Sequence, residues 1–143
     1  MKRIISALLL ILLLAISLCA CGGNEAIEEY EWTMRQAWNS NDGTVVAIAA
    51  SEASELYANA AVVTVTLTAK DGAITITDET NGKVYTGTYE VDSRTPDGTN
   101  YVITINGEVG YATVAMTKHY DGKEVPTLPI NIGSYSMYFY EKV

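Results

Sequence analysis

Polar and apolar residues alternate with a period of two along much of the chain after residue 60. In residues 62–69, Val63, Val65 and Leu67 fall on one face and threonines on the other. The same alternation recurs in three later segments, residues 73–77, 85–91 and 101–106. A period of two with one polar face indicates half-buried antiparallel strands.

Short turn signals separate these segments. Each pairs Asn or Asp with Gly, at residues 42–43, 71–72, 81–82, 97–98, 106–107 and 121–122. Asn and Asp tolerate a positive φ and Gly adopts it freely, so such pairs suit the tight turns of β-hairpins. Consecutive hairpins predict a meander of antiparallel strands.

The beginning of this region is less regular. Residues 30–38, which carry Trp32, are predicted as the first strand, and residues 44–49 as the second. Residues 51–58 favour a helical turn or two, although so short a helix is marginal in isolation.

The end of the chain adds further strands. Residues 108–118 predict a long strand, and residues 134–141 a last strand with aromatic or apolar residues on both faces. Proline lacks the N–H that a central strand donates, so Pro126 and Pro129 predict an edge strand or a loose crossover for residues 125–132.

The predicted fold class is therefore all-β, with about eight antiparallel strands in a meander and one short helix near residues 51–58. Such a meander is best freed of exposed edges by closing into a barrel. A barrel of this size is either filled by side chains or holds one small ligand. The inward positions are mostly large, which favours a nearly filled interior with any ligand at the open end.

Residues 30–143 resemble a small lipocalin-like (calycin) barrel. Trp32 lies in the first strand, where lipocalin relatives carry Gly-x-Trp, but Tyr30 stands at the glycine position. Residues 85–89 (YTGTY) and 135–140 look like the inner and closing strands of such domains. The resemblance implies a single barrel domain, as found in many lipid-anchored bacterial proteins.

The N-terminal end has the features of a secretion signal. Lys2 and Arg3 precede an apolar stretch, residues 4–18, which is shorter than the roughly 20 residues of a transmembrane helix. Small residues and Cys21 follow, in a pattern that resembles the lipobox of bacterial lipoproteins. The resemblance implies a signal peptide over residues 1–20, cleavage after Ala20 and a diacylglyceryl group on Cys21. The alternative is an uncleaved or conventionally cleaved leader with an incidental cysteine.

With Cys21 lipidated, residues 21–29 form a short linker and residues 30–143 the single domain. Two acyl chains anchor a protein firmly, at about 0.8 kcal/mol per buried methylene. The protein is therefore expected on the extracytoplasmic side of a cell membrane or outer membrane. Residues 21–143 carry 7 basic and 17 acidic residues, a net charge of −10. This charge argues against a nucleic-acid partner, which needs a basic face.

Tyrosine is the residue type that most suggests a ligand-binding site, because the chain has ten tyrosines and one phenylalanine. Tyr85, Tyr89 and Tyr101 share the predicted inner face, and Trp32 joins them there. A barrel mouth lined by these four side chains could stack a sugar, an aromatic ring or a small amphiphile. The alternative is that they fill the core, because aromatic residues are favoured in strands.

Few residues in the sequence support a catalytic or metal-binding site. The single histidine, His119, precedes a turn, and the carboxylates that a glycosidase would need fall mostly at turns or on solvated faces. Residues 39–43 loosely match a calcium loop, but Ala50 stands where its bidentate glutamate belongs. No cofactor is predicted, and the chain is not expected to be an enzyme.

Two functions follow. The first is a non-catalytic, membrane-anchored binding module that takes a small amphiphilic, aromatic or sugar ligand at the barrel mouth. The alternative is a filled barrel that docks to another protein of the cell envelope, through Tyr138, Tyr140 and residues 126–129. A hollow barrel mouth would favour the binding module, and a filled mouth would favour the docking protein.

Overall fold

The computed structural model describes residues 26–119 and 121–143. The predicted signal peptide of residues 1–20, its cleavage site after Ala20 and the predicted lipidation site at Cys21 lie outside the described residues.

The described chain consists of strands joined by turns and three short 3-10 turns. The strands are β1 (Trp32–Asn39), β2 (Val45–Ile48), β3 (Ala61–Val62), β4 (Val65–Lys70), β5 (Ala73–Asp78), β6 (Lys83–Thr95), β7 (Gly98–Ile105), β8 (Glu108–Lys118), β9 (Glu124–Ile132) and β10 (Tyr135–Glu141). Five of the six Asx-Gly pairs lie in the connections between strands, whereas Gly98 of the pair at 97–98 is the first residue of β7. Asp71 and Asn106 adopt the positive φ that tight hairpin turns require.

Strand β1 and strands β4 to β10 form a closed antiparallel barrel of eight strands. Neighbours in sequence pair from β4 through β10, and β1 pairs with β4 on one side and β10 on the other. The closing ladder runs from Trp32 opposite Glu141 to Asn39 opposite Tyr135. The predicted all-β barrel is confirmed, and its architecture is compatible with a lipocalin-like barrel.

The N-terminal strands depart from a simple meander. The second half of β1 pairs with β2, where Ala37 lies opposite Ala47. Strand β2 then pairs in parallel with β3, which leads into β4. A short strand is thus inserted between β1 and β3 at one end, so the wall is wider there than at the other end.

The short helix predicted near residues 51–58 is instead two separate 3-10 turns, Ala50–Glu52 and Glu55–Tyr57. Ala53 and Ser54 between them have extended backbone angles. Neither turn buries a residue. Without an apolar face to pack against the barrel, a segment of this length lacks the contacts that stabilise a longer helix.

The edge position predicted for residues 125–132 is wrong, because β9 lies between β8 and β10 inside the closed barrel. Pro126 pairs with Met116, and Pro129 pairs with Tyr138. The β8–β9 ladder is interrupted beside Pro129 but resumes in the same register. Pairing on both sides of β9 therefore outweighs the hydrogen bonds that the two prolines cannot donate.

The core follows the predicted alternation. Trp32, Phe139, Ile103, Leu128 and Ile130 are almost completely buried.

In the part of the chain that the structure describes, no helix has the length and hydrophobicity needed to cross a membrane.

Gly87 marks a close approach between two strands of the barrel. It pairs with Ile74 on one side and Ile105 on the other. A Cβ atom at this position would collide with the carbonyl oxygen of Thr104 in β7. The absence of a side chain therefore lets β6 and β7 pack closely at this point.

We predict that Gly87→Ala lowers the free energy of unfolding by about 2–3 kcal/mol, since backbone atoms must shift to admit the methyl group. Thr86→Ala, on the exposed face of the same strand, is expected to change it by less than about 1 kcal/mol. Urea denaturation followed by circular dichroism measures both values. Equal effects of the two substitutions would contradict the close approach.

Candidate functional site

One end of the barrel is closed by the 3-10 turn Ile27–Glu29. The Ile27 side chain is completely buried. Its backbone N–H donates to the Tyr101 hydroxyl at 3.1 Å, and its carbonyl accepts from the Trp32 indole N–H at 2.9 Å. Both backbone polar groups of the buried Ile27 are therefore satisfied, and the turn is held in place as a plug.

Tyr89 extends this polar network at the closed end. Its hydroxyl donates to the Glu28 carboxylate and accepts from the Gly72 backbone N–H at 3.3 Å. Its ring packs edge-to-face on Tyr101, with centroids 5.7 Å apart. The network ties the β4–β5 turn to the plug.

Three of the four predicted ligand-binding residues thus lie together at the closed end. Trp32, Tyr89 and Tyr101 are all buried, and each makes a hydrogen bond to the plug or its neighbours. The geometry gives them a structural role in closing the barrel. The fourth residue, Tyr85, lies at the other end.

The opposite end of the barrel contains a cavity of about 490 Å³. Its lining is mostly apolar and comes from strands all around the barrel, as Met34, Ala37, Ala47, Val63, Val65, Ile76, Asp78, Tyr85, Ile105, Asn106, Glu108, Ile132, Tyr135 and Met137. Ligand sites in proteins typically enclose roughly 300–1,000 Å³ and bear few polar groups. The cavity is therefore large enough for one small molecule.

The cavity has an apolar base and a polar rim. Met34, Ile76 and Ile105 at its base are buried. Asn106 and Glu108 at its rim are exposed, as is Tyr135, which is 51% accessible. Such a gradient suits a molecule with an apolar body and a polar end.

Asp78 holds a fixed negative charge at this rim. Its carboxylate accepts from the side-chain amide of Asn81 at 2.7 Å and from the Asn81 backbone N–H at 3.0 Å. These hydrogen bonds lower the pKa of Asp78 below its usual value, and nearby Lys83 acts in the same direction. The group is therefore ionised at neutral pH.

The residues considered for metal binding or catalysis serve turns. Asp42 accepts from the Thr44 backbone N–H at 2.9 Å, and this bond lowers the pKa of Asp42. His119 lies 3.5 Å from the carboxylate of Asp121, next to the β8–β9 turn. Among the described residues, no group of three or more His, Cys, Asp or Glu side chains could hold a metal ion.

Sequence reasoning did not single out most of the cavity lining. Met137 is two residues from the buried Phe139, so alternation along residues 134–141 is enough to put it on the same face. Met34 and Ala37, by contrast, are three residues apart and share a face only because β1 has a bulge between Met34 and Gln36. A strict period of two cannot find that pair.

We predict that Tyr101→Phe destabilises the protein by about 1–3 kcal/mol, because it removes the acceptor for the buried Ile27 N–H. Tyr111→Phe is the matched control, since that residue is 63% accessible on the outer face of β8. Urea denaturation gives both free energies of unfolding. Equal stability of Tyr101→Phe and the unsubstituted protein would show that the plug does not depend on this bond.

Comparisons of this chain with protein-family models, with curated proteins and with solved structures find no match. The features that bear on its function are therefore those of its own geometry: a plug at one end of the barrel and an apolar cavity with a polar rim at the other.

Proposed function

We propose that this chain is a membrane-anchored, extracytoplasmic lipoprotein whose lipocalin-like barrel binds a small amphiphile at its open end. The observation that carries the proposal is the cavity of about 490 Å³, with its apolar base and polar rim. Binding there requires no chemistry beyond burial of an apolar body and hydrogen bonds to its polar end.

The rim favours a particular kind of polar end. Asp78 and Glu108 are the two charged residues of the lining, and both are acidic. An amine or a hydroxyl can donate hydrogen bonds to these carboxylates, whereas a carboxylate or phosphate would be repelled. The ligand is therefore an amphiphile with a hydrogen-bond-donating head, and cationic heads bind best.

Lipidation of Cys21 would fix the orientation of the barrel. Ala26 directly precedes the plug, at the closed end, and five residues span at most about 18 Å. The plug cannot move away to lengthen the tether without exposing Ile27. The closed end therefore faces the membrane, and the cavity opens away from it, so that the ligand arrives from the aqueous side.

Lipid attachment is tested by growing cells that express the full chain with labelled palmitate. We expect label on the protein, its loss in Cys21→Ser and its retention in Cys19→Ser, because residue 19 belongs to the segment that is removed. Label that survives Cys21→Ser, or no label on the unsubstituted protein, would overturn the lipoprotein assignment.

Ligand binding is tested on a fragment of residues 24–143, which contains every described strand, after a cooperative melt shows that it is folded. The probes are octylamine, octanol and octanoate below their micelle concentrations. We expect octylamine to raise the melting temperature most and octanoate least, since a ligand that binds the folded state stabilises it.

Ala47→Phe provides the blocking variant, because Ala47 lines the cavity and a ring there occupies part of its space. We expect the shift with octylamine to disappear. Val84→Phe adds the same ring at a position that is 61% accessible outside the barrel and should leave the shift intact. No shift with any probe, or a shift that Ala47→Phe preserves, would favour the interaction protein with a filled barrel.

A further inference from the structure

A second concave surface lies outside the barrel, where β1 and β10 meet. It is a groove of about 730 Å³, lined by Arg35, Gln36, Trp38, Ser51, Glu52, His119, Tyr138 and Tyr140. The bulge in β1 turns both Arg35 and Gln36 outward, while the 3-10 turn Ala50–Glu52 forms one wall. The groove therefore combines aromatic rings and polar side chains from four parts of the chain.

The aromatic rings form a continuous row along the groove. Trp38 stacks on Tyr138 with centroids 6.5 Å apart and an interplanar angle of 28°. Tyr138 and Tyr140 follow at 5.5 Å, and His119 meets Tyr140 edge-on at 6.5 Å. All four side chains are half-buried, so that each has a supported position and an accessible surface.

Arg35, which also lines the groove, is already held in place. The Arg35 guanidinium donates to the Ser51 hydroxyl at 2.7 Å, approaches the Glu52 carboxylate at 3.5 Å and lies 5.6 Å above the centre of the Tyr140 ring. Partial burial beside Tyr138 raises the pKa of the Tyr140 hydroxyl, which therefore stays protonated and able to donate at neutral pH.

Several polar groups of the groove are free to bind a ligand. Within the described chain, the side chains of Gln36, Trp38, Tyr138 and Tyr140 make no hydrogen bond to another residue. They offer two hydroxyls, an amide and an indole N–H beside half-buried aromatic rings. Such a surface presents both apolar planes and hydrogen-bonding groups along one direction.

We propose that this groove binds carbohydrate, as a short stretch of a linear chain of uncharged sugars. A pyranose ring has apolar C–H faces that pack on aromatic rings and hydroxyls at its edge that donate and accept. An anionic ligand would have to displace Glu52 from Arg35. A purely apolar ligand would leave the tyrosine hydroxyls and Gln36 without water or a partner.

The groove and the cavity are separate sites on opposite faces of one strand. Gln36 and Trp38 point outward into the groove, whereas Met34 and Ala37 line the cavity. Carbohydrate binding therefore does not depend on the ligand of the barrel mouth, and either proposal can fail alone.

The test uses the full chain in lipid nanodiscs, titrated with the β-1,4-linked tetrasaccharides of glucose and of N-acetylglucosamine. Saturation-transfer NMR and calorimetry measure binding. We expect a dissociation constant of about 1 mM or lower for at least one tetrasaccharide. Trp38→Ala and Tyr138→Ala should each weaken binding by about tenfold or more, because a stacking surface is lost.

Tyr111→Ala is the matched control, since it removes an exposed tyrosine from the outer face of β8 and should leave the affinity unchanged. Ala47→Phe, which fills the cavity, should also leave it unchanged. Gln36→Ala is a second groove variant that keeps the rings, and a loss of affinity of about threefold to tenfold is expected from one hydrogen-bonding group. Circular dichroism checks that each variant is folded.

The absence of binding to both tetrasaccharides would overturn the proposal, as would affinity that Trp38→Ala and Gln36→Ala leave unchanged. Loss of binding in Ala47→Phe but not in the groove variants would place the sugar in the cavity instead. That result would overturn the groove while leaving the barrel mouth as a ligand site.

Discussion

The pairing of the first barrel strand with the last one is the interaction on which the rest of the structure depends. Strand β10 pairs with β1 along nearly the whole of both strands, and this ladder converts a meander into a closed barrel. Every strand of the ring then has two neighbours, so no barrel edge is left with unpaired backbone groups. Closure also gives the barrel an interior, an outer face and two ends. The proposed ligand cavity lies in the interior at one end, and the proposed carbohydrate groove lies on the outer face.

The two ends of the barrel differ in packing, because a 3-10 turn fills one end and an inserted strand widens the other. At the closed end the turn Ile27–Glu29 fills the interior and satisfies its polar groups through Trp32 and Tyr101. At the open end β2 widens the wall, and the side chains stop short of filling the space. One barrel thus contains a packed half, which stabilises it, and a hollow half, which is available to a ligand.

Much of the fold could be predicted from local pattern. Alternation placed Leu67, Ile74 and Ile103 inside the barrel, and all three are buried. Five of the six Asx-Gly pairs lie in the connections between strands, because Gly, and in some turns the Asx residue before it, readily adopts a positive φ. The prolines of β9 misled the same reasoning, since a local preference for an edge was outweighed by pairing with β8 and β10 on both sides. The lining of the cavity was less predictable. Of the four residues expected at the barrel mouth, Tyr85 lines the cavity, whereas the other three lie at the closed end.

The sequence by itself determined which faces are apolar, where the chain turns and, through residues 1–21, the expectation of a lipid anchor. It could not determine the height of a residue along the barrel axis, because alternation reports the face of a strand and not its position within the closed ring. Tyr85 and Tyr89 share a face four residues apart, yet one lines the cavity and the other supports the plug. Strand register, the bulge beside Arg35 and the insertion of β2 set those positions, and each arises from contacts between residues distant in sequence.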